Sequence, residues 1–356
     1  MSNQFKLIKV PSLSKDQDEQ AMELHKELVV FDASTAIEIK WVETTEAQYF
    51  KSALEVGVTA INNTAFSSHA NFRHAVTQIS AWYNVLEHFR DKIILTTTVE
   101  DIRKAKRDHK VAMIFGPQNT TMIEDDLQLL RIFHRLGIKI CQLTYNEANL
   151  LGDGCTERTQ RGLTDFGLQV LEEMNYQGIL VDLSHCSDAV IADALECSKD
   201  AMAFTHVCCR AINGNPRNKT DEQLQALAEK GGVIGVAAWS PLTHTQEGIQ
   251  PTLDDFFTHL TRIIETTGID HVGIGSDLPF GAFRTTDPTQ WEIERKKWPA
   301  VYGNWTVENK HVVGFDDVTS FPNVTKGLVA LGYSKTEIRK IMGENFLKLC
   351  ERVWGK

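Results

Sequence analysis

Long apolar runs are what this sequence most plainly lacks. No uninterrupted apolar stretch of about 18 residues occurs, which excludes a conventional membrane-spanning helix. The opening residues MSNQFKLIKVPSLSKDQDEQ carry no apolar core of the kind a secretory signal needs. Basic residues are in deficit: 37 Lys and Arg face 47 Asp and Glu, a formal net charge of −10. With no Lys/Arg run to offset it, non-specific nucleic-acid binding is disfavoured. Cysteine is odd in number, seven scattered over 356 residues, which is not a disulfide framework. These absences predict a cytoplasmic protein in a reducing compartment, with neither membrane nor nucleic acid as partner. Internal repeats, low-complexity tracts and Gly/Ser-rich linkers are missing too, so residues 1–356 are expected to form one domain.

What the chain does have is an organising stretch, ILVDLSHCSDAV followed by AMAFTHVCCRAINGNPRN, from Ile179 to Asn218. Its two short apolar runs end in Leu183-Ser184-His185 and Phe204-Thr205-His206. Runs this short, without alternation, fit strands buried on both faces, as in a parallel sheet. A helix-like segment between them makes the strands consecutive and parallel. Each histidine then emerges at the C-terminal end of its strand, where α/β barrels place their chemistry. Two imidazoles at neighbouring strand ends can converge on one metal ion. A lone histidine is more often a satisfied, partly buried side chain. Repetition of the pattern, with Gly273-Ile274-Gly275-Ser276-Asp277 placing a carboxylate at another strand end, favours a site.

Strands of the same kind are predicted at 28–33, 58–62, 111–116, 138–143, 233–237 and 271–275, with an extra strand or extended connection at 93–97. Helical patterns alternate with them, among them 125–136, 164–177 and 253–265. Eight buried strands alternating with helices predict an α/β fold, a (β/α)8 TIM-like barrel. An open doubly wound sheet is the alternative. No G-x-G-x-x-G turn follows the first strand, which disfavours a dinucleotide site. Residues 278–319, rich in Trp, Pro and charge, read as a long excursion over the strand ends. Ser334 and Glu337 open a final helix running to about Trp354.

VDLSH, the His206 segment running into NPRN, GLTDFGLQVLEEMNYQG, GIGSDLPFG and the closing FPNVTKGLVALGYSKTEIRKIMGENFLKL resemble the membrane (renal) dipeptidase family, zinc peptidases of the amidohydrolase superfamily. The resemblance covers nearly the whole chain. It implies a barrel of the metallo-dependent hydrolase type, a binuclear zinc centre, dipeptide hydrolysis and usually a homodimer. The departures are specific. Where the family carries D-G-H-x-D, supplying histidine and aspartate to one zinc, this chain has Asp32-Ala33-Ser34-Thr35-Ala36, so Ser34 and Ala36 stand at two ligand positions. Gln118 takes the place of the metal-bridging glutamate. A histidine after the fourth strand gives way to Thr144-Tyr145, and a tyrosine after the seventh to Trp239. His185, His206, Asp277 and Arg217 remain, Arg217 matching the arginine that holds the substrate carboxylate.

Two zinc ions and a hydroxide need several carboxylates, because buried unbalanced charge is expensive. With those carboxylates gone, one divalent ion is expected, zinc or similar, held by His185 and His206 with Asp277 or Gln118 nearby and water completing its shell. An open position suits a polarised water, and Asp277 is then the natural general base. Arg217, Tyr145, Trp239 and Gln118 are assigned to a small-molecule substrate. The predicted function is metal-dependent hydrolysis of a C–N bond in a small carboxylated compound. The alternatives are a catalytically silent barrel that binds a small metabolite, and a non-hydrolytic reaction on the same barrel. Glu38 and Lys40 share the parity of Ser34 and Ala36 and are candidates for the vacated half-site, although Lys40 reads more simply as a solvated loop lysine. Cys208-Cys209 offers a soft ligand or, more simply, two small packed residues. Glu124-Asp125-Asp126 sits most simply at a helix N-terminus. Trp291, Trp298, Tyr302 and Trp305 either line a lid or pack the excursion onto the rim; an aromatic mouth would also suit an ammonium group.

Overall fold

The computed structural model describes residues 5–37, 48–279 and 288–355. The apolar runs form parallel strands: β1 (Val30–Ala36), β2 (Val58–Asn63), β3 (Ile93–Leu95), β4 (Val111–Phe115), β5 (Ile140–Gln142), β6 (Leu180–Asp182), β7 (Ala203–Val207), β8 (Val233–Val236), β9 (Val272–Ile274) and the short β10 (Leu278–Pro279). Their order is β3-β4-β2-β1-β9-β8-β7-β6-β5, with β10 extending the pairing of β1. The ring closes between β4 and β5. Phe115 bridges Ile138 in parallel, Lys139 N–H donates to the Phe115 carbonyl at 3.2 Å, and Gln142 N–H to that of Pro117 at 3.1 Å. Eight strands therefore form the barrel. The segment predicted as an extra strand is β3, which pairs with the first half of β4.

The barrel interior is apolar at its N-terminal end. Phe31, Ala60, Ala112, Ile140, Leu180, Ala203 and Val233, each the first to third residue of its strand, pack in one cluster with the helix Asn345–Trp354. Phe346 stacks on Phe31 with ring centroids 5.3 Å apart, so this helix plugs the bottom of the barrel and leaves the top for polar groups. The single continuous final helix that the sequence pattern predicts is broken in the structure. It is split into Lys335–Arg339, a wide turn Lys340–Glu344, and Asn345–Trp354. Gly343 lies at the break, where a Cβ would stand 2.1 Å from the Val29 carbonyl oxygen, so the backbone bends around the start of β1. The helix predicted from Asp125 is shorter, Gln128–Arg135. Glu124 accepts from Phe72 N–H at 3.2 Å and Asp126 from Gln128 N–H at 2.8 Å, so the acidic group caps two helix starts.

Within the excursion, the described residues form helices Pro288–Lys297 and Pro299–Tyr302. They are tied to the strand-end loops: Asn215 Nδ2 donates to the Val301 carbonyl at 2.8 Å, Ser240 N–H to that of Lys310 at 3.0 Å, and Lys297 pairs with Glu147 at 2.8 Å. Glu38 and Lys40 lie outside the described residues. Among the described residues, no helix is long and apolar enough to cross a membrane. All seven cysteines are free thiols.

Candidate active site

β6 and β7 bring the two histidines together at the top of the barrel. His185 Nε2 and His206 Nε2 lie 3.0 Å apart. His185 Nδ1 is 2.7 Å from Asn146 Oδ1, and His206 Nδ1 is 2.7 Å from Thr205 Oγ1. Behind them, Asp182 accepts from the N–H groups of Ser184 and Thr205, both at 3.0 Å, and from their hydroxyls at 2.6 and 2.5 Å. Burial, and then the Arg217 guanidinium, hold both imidazoles well below the ordinary histidine range. They stay neutral, as a metal ligand must be.

The β1–β9 side repeats this construction. Asp32 accepts from Ser276 N–H at 2.8 Å, from the Ser276 hydroxyl at 2.6 Å and from Ser34 N–H at 3.3 Å. The next residue, Asp277, is half-buried, donates its N–H to the Ser34 carbonyl at 2.9 Å and has a left-handed φ of 55°. Burial raises its pKa to about 7; Arg217 opposes this, while Asp32 and Asp182 add to it. Close approach of the strands needs glycine here. A Cβ on Gly275 would meet the Thr205 carbonyl oxygen at 1.7 Å and His206 Cα at 3.3 Å.

Arg217 is almost wholly buried and bridges the two histidine strands from above. Its guanidinium donates to the Ser184 carbonyl and, at 3.4 Å, to that of His206. Lys219, also buried, reaches the Cys186 carbonyl at 3.4 Å and lies over the Phe204 ring at 5.4 Å. Gln118 Nε2 is 3.5 Å from Ser34 Oγ, so two neutral residues face each other where the family resemblance implies a zinc ligand and the bridging carboxylate. Tyr145 stacks on the face of His185, centroids 4.2 Å apart, and meets Trp298 edge-on at 5.5 Å. Tyr302 continues this wall to Trp239 and Trp291, at 5.1 and 4.9 Å. The aromatic residues of the excursion pack together and abut the Tyr145–His185 stack. Tyr302 donates its hydroxyl to Glu294 at 2.5 Å.

The structure thus groups His185, His206, Arg217, Tyr145 and Asp277 around the strand ends, with Gln118 beside Ser34 and Trp239 further out on the aromatic wall. Cys208 and Cys209 turn elsewhere: their thiols donate to the carbonyls of Ala237 and His259, each at 3.6 Å. Asn146, Asp182, Thr205, Asp32 and Ser276 were not singled out by the sequence. For Asp32 and Asp182 the one signal is the repeated Asp-x-Ser at two strand ends, Asp32-Ala33-Ser34 and Asp182-Leu183-Ser184.

Two nitrogens 3.0 Å apart fit two corners of a zinc tetrahedron, whose ligand atoms stand about 3.3 Å apart for bonds of about 2.0–2.1 Å. Among the described residues, no group of three His, Cys, Asp or Glu side chains converges on one point. These two nitrogens could supply two ligands to an ion whose shell water completes.

Residues 18–287 match the membrane dipeptidase family, peptidase family M19. The chain is 28% identical over 287 residues to the dipeptidase tcpJ of Claviceps purpurea, covering 80% of this chain and 61% of that protein. Among solved structures, an amidohydrolase from Pseudomonas aeruginosa is 32% identical with a TM-score of 0.83, over 94% of this chain and 99% of that one. A metallopeptidase from Rhodobacter sphaeroides, liganded with a phosphinate mimic of L-Ala-D-Ala, shares the fold at 20% identity and a TM-score of 0.75, over 92% of this chain and 99% of that one. With three quarters of its length inside the family match and the same barrel beneath it, the chain belongs to the membrane dipeptidase family of metallopeptidases.

Proposed function

We propose that the protein hydrolyses a peptide or related amide bond in a small, carboxylate-bearing substrate, using one divalent ion held by His185 and His206. The observation that carries this reading is the convergence of two neutral imidazoles, Nε2 to Nε2 at 3.0 Å, at the C-terminal mouth of the barrel. A zinc ion bound there would polarise the scissile carbonyl and acidify water. Asp277 is the general base, because a carboxyl with a pKa of about 7 is half ionised at neutral pH and accepts a proton near its own affinity. Arg217 uses two of its N–H groups on main-chain carbonyls; the remaining donors of its fork suit the substrate carboxylate. Tyr145 and Trp239 form the apolar walls, and Gln118 offers a neutral amide on the opposite side. The free thiols support a reducing, cytoplasmic setting. A homodimer is retained from the family resemblance as part of the proposal.

A second reading, a barrel that binds a metabolite without turning it over, is favoured by the neutral Gln118–Ser34 pair in place of carboxylates. Elemental analysis of purified protein, run beside a panel of dipeptides and N-acyl amino acids, tests both. The expected result is no more than one stoichiometric ion per chain, lost in His185→Ala and His206→Ala, together with release of a free amino acid. Two stoichiometric ions would refute the single-ion site, and unaltered substrates throughout the panel would favour the binding protein.

A further inference from the structure

We propose that Asp182, Thr205 and Asn146 are positioning residues that hold both histidines as Nδ1–H tautomers, so that two Nε2 lone pairs face a single cation. The inference rests on the reading that His185 and His206 hold the metal, and it concerns groups that touch neither metal nor substrate.

Proton counting carries it. Burial raises the Asp182 pKa, and its four donors, the N–H groups and hydroxyls of Ser184 and Thr205, oppose that rise by favouring the ionised carboxylate. Thr205 then gives its single proton to Asp182 Oδ2 at 2.5 Å rather than to Ser184 Oγ at 3.3 Å, because the carboxylate is the nearer and charged acceptor. Its oxygen can meet His206 Nδ1 at 2.7 Å only by accepting, so His206 carries its proton on Nδ1. Asn146 Oδ1 is an acceptor 2.7 Å from His185 Nδ1 and also receives the Cys155 thiol at 3.4 Å. His185 therefore carries its proton on Nδ1 as well. Each Nε2 is left with a lone pair, 3.0 Å from the other. Two such lone pairs repel unless a cation lies between them, so the relay makes the pair a clamp. A neutral hydrogen-bonded pair would need the proton on Nε2 of one ring.

The clasp recurs where another reacting group must be aimed. Asp32 holds Ser276 by N–H and hydroxyl as Asp182 holds Thr205, and the residues that follow are Asp277 and His206. A carboxylate reaching across to the neighbouring strand fixes both the strand spacing and the direction of the next side chain. A recurrence at two separate strand pairs is hard to assign to packing alone.

Long-range proton–nitrogen NMR of metal-chelated, ring-labelled protein reads the tautomers directly. Wild type should show protonated Nδ1 in both rings. Thr205→Val should shift His206 toward the Nε2–H form and weaken Zn2+ binding, measured by chelator competition, about 10- to 100-fold; Thr205→Ser should restore both. Asn146→Asp, which keeps an acceptor, should hold the His185 tautomer that Asn146→Leu loses. An Nε2–H tautomer in either ring of wild type, or Thr205→Ser as defective as Thr205→Val with its melting temperature intact, would overturn the inference. Wild type with both Nδ1–H tautomers but no Zn2+ uptake would sustain the positioning roles and overturn the metal reading.

Discussion

Asp277 occupies the left-handed region at φ 55°, where Asn is accommodated as readily as Asp, so Asp277→Asn changes charge and leaves the backbone as it is. Burial raises the Asp277 pKa from 3.8 to about 7, with Arg217 opposing and Asp32 and Asp182 adding. At about 1.36 kcal/mol per pH unit, keeping the ionised carboxylate in that place costs on the order of 4 kcal/mol. The folded protein binds this proton more tightly than the unfolded chain does. The associated stability is therefore complete below about pH 4 and is lost as pH rises through 7. An amide does not ionise, so metal-free Asp277→Asn should be about 2 to 4 kcal/mol more stable than metal-free wild type at pH 8, and equal to it near pH 4. The lower end of that range allows for Arg217 losing a nearby anion. Turnover of the metal-loaded variant should fall by about 10²–10⁴, the usual loss of a general base. Urea denaturation at the two pH values gives the first quantity, and initial rates at matched metal content give the second. Equal stability at both pH values would show that Asp277 is not held near neutral pKa. A rate near wild type with metal retained would remove it from catalysis.

Two further outcomes follow from neighbouring residues. Arg217→Ala should weaken binding of a carboxylated ligand by about 1.5–3 kcal/mol, the worth of a charge-assisted pair, read by calorimetry; an unchanged affinity takes Arg217 out of the substrate site. Gly275→Ala should destabilise the fold by more than about 3 kcal/mol, beyond ordinary overpacking, because the added Cβ meets the Thr205 main-chain oxygen at 1.7 Å and no rotamer can relieve it. A soluble Gly275→Ala protein with an unchanged melting temperature would refute that contact.

The barrel was legible in the sequence because strands buried on both faces leave a simple mark, short apolar runs such as 111–115 and 179–183 between helical segments. The histidines were legible for the same reason: each closes such a run. Gly343 was not, because a helical pattern continues through the break and only the Val29 carbonyl, more than 300 residues away in the chain, dictates the bend. Asn146 escaped notice because it follows no strand pattern of its own. It is brought to His185 by the loop after β5, where Cys155 N–H donates to the His185 carbonyl at 2.9 Å. Short-range pattern carries the elements, and long-range closure decides which polar side chains meet.

The same closure gives the altered ligand set a physical account. Asp32 and Asp277 are pushed up to about 7, Asp182 is raised, both histidines are held neutral and Lys219 is drawn down to about 8, in each case by burial first. Burial presses every one of these groups toward its uncharged form. Among the described residues, the Arg217 guanidinium donates to the Ser184 and His206 carbonyls. A dinuclear centre would add four positive charges, which the family pattern offsets with an aspartate and a bridging glutamate. With Ser34, Ala36 and Gln118 at those positions, Asp277 is the carboxyl left at the site to offset such charge, and uncompensated buried charge is costly. Ser34, Ala36 and Gln118 thus remove anionic groups that the family resemblance implies at the metal centre. His185 and His206, held neutral by burial, add no charge of their own.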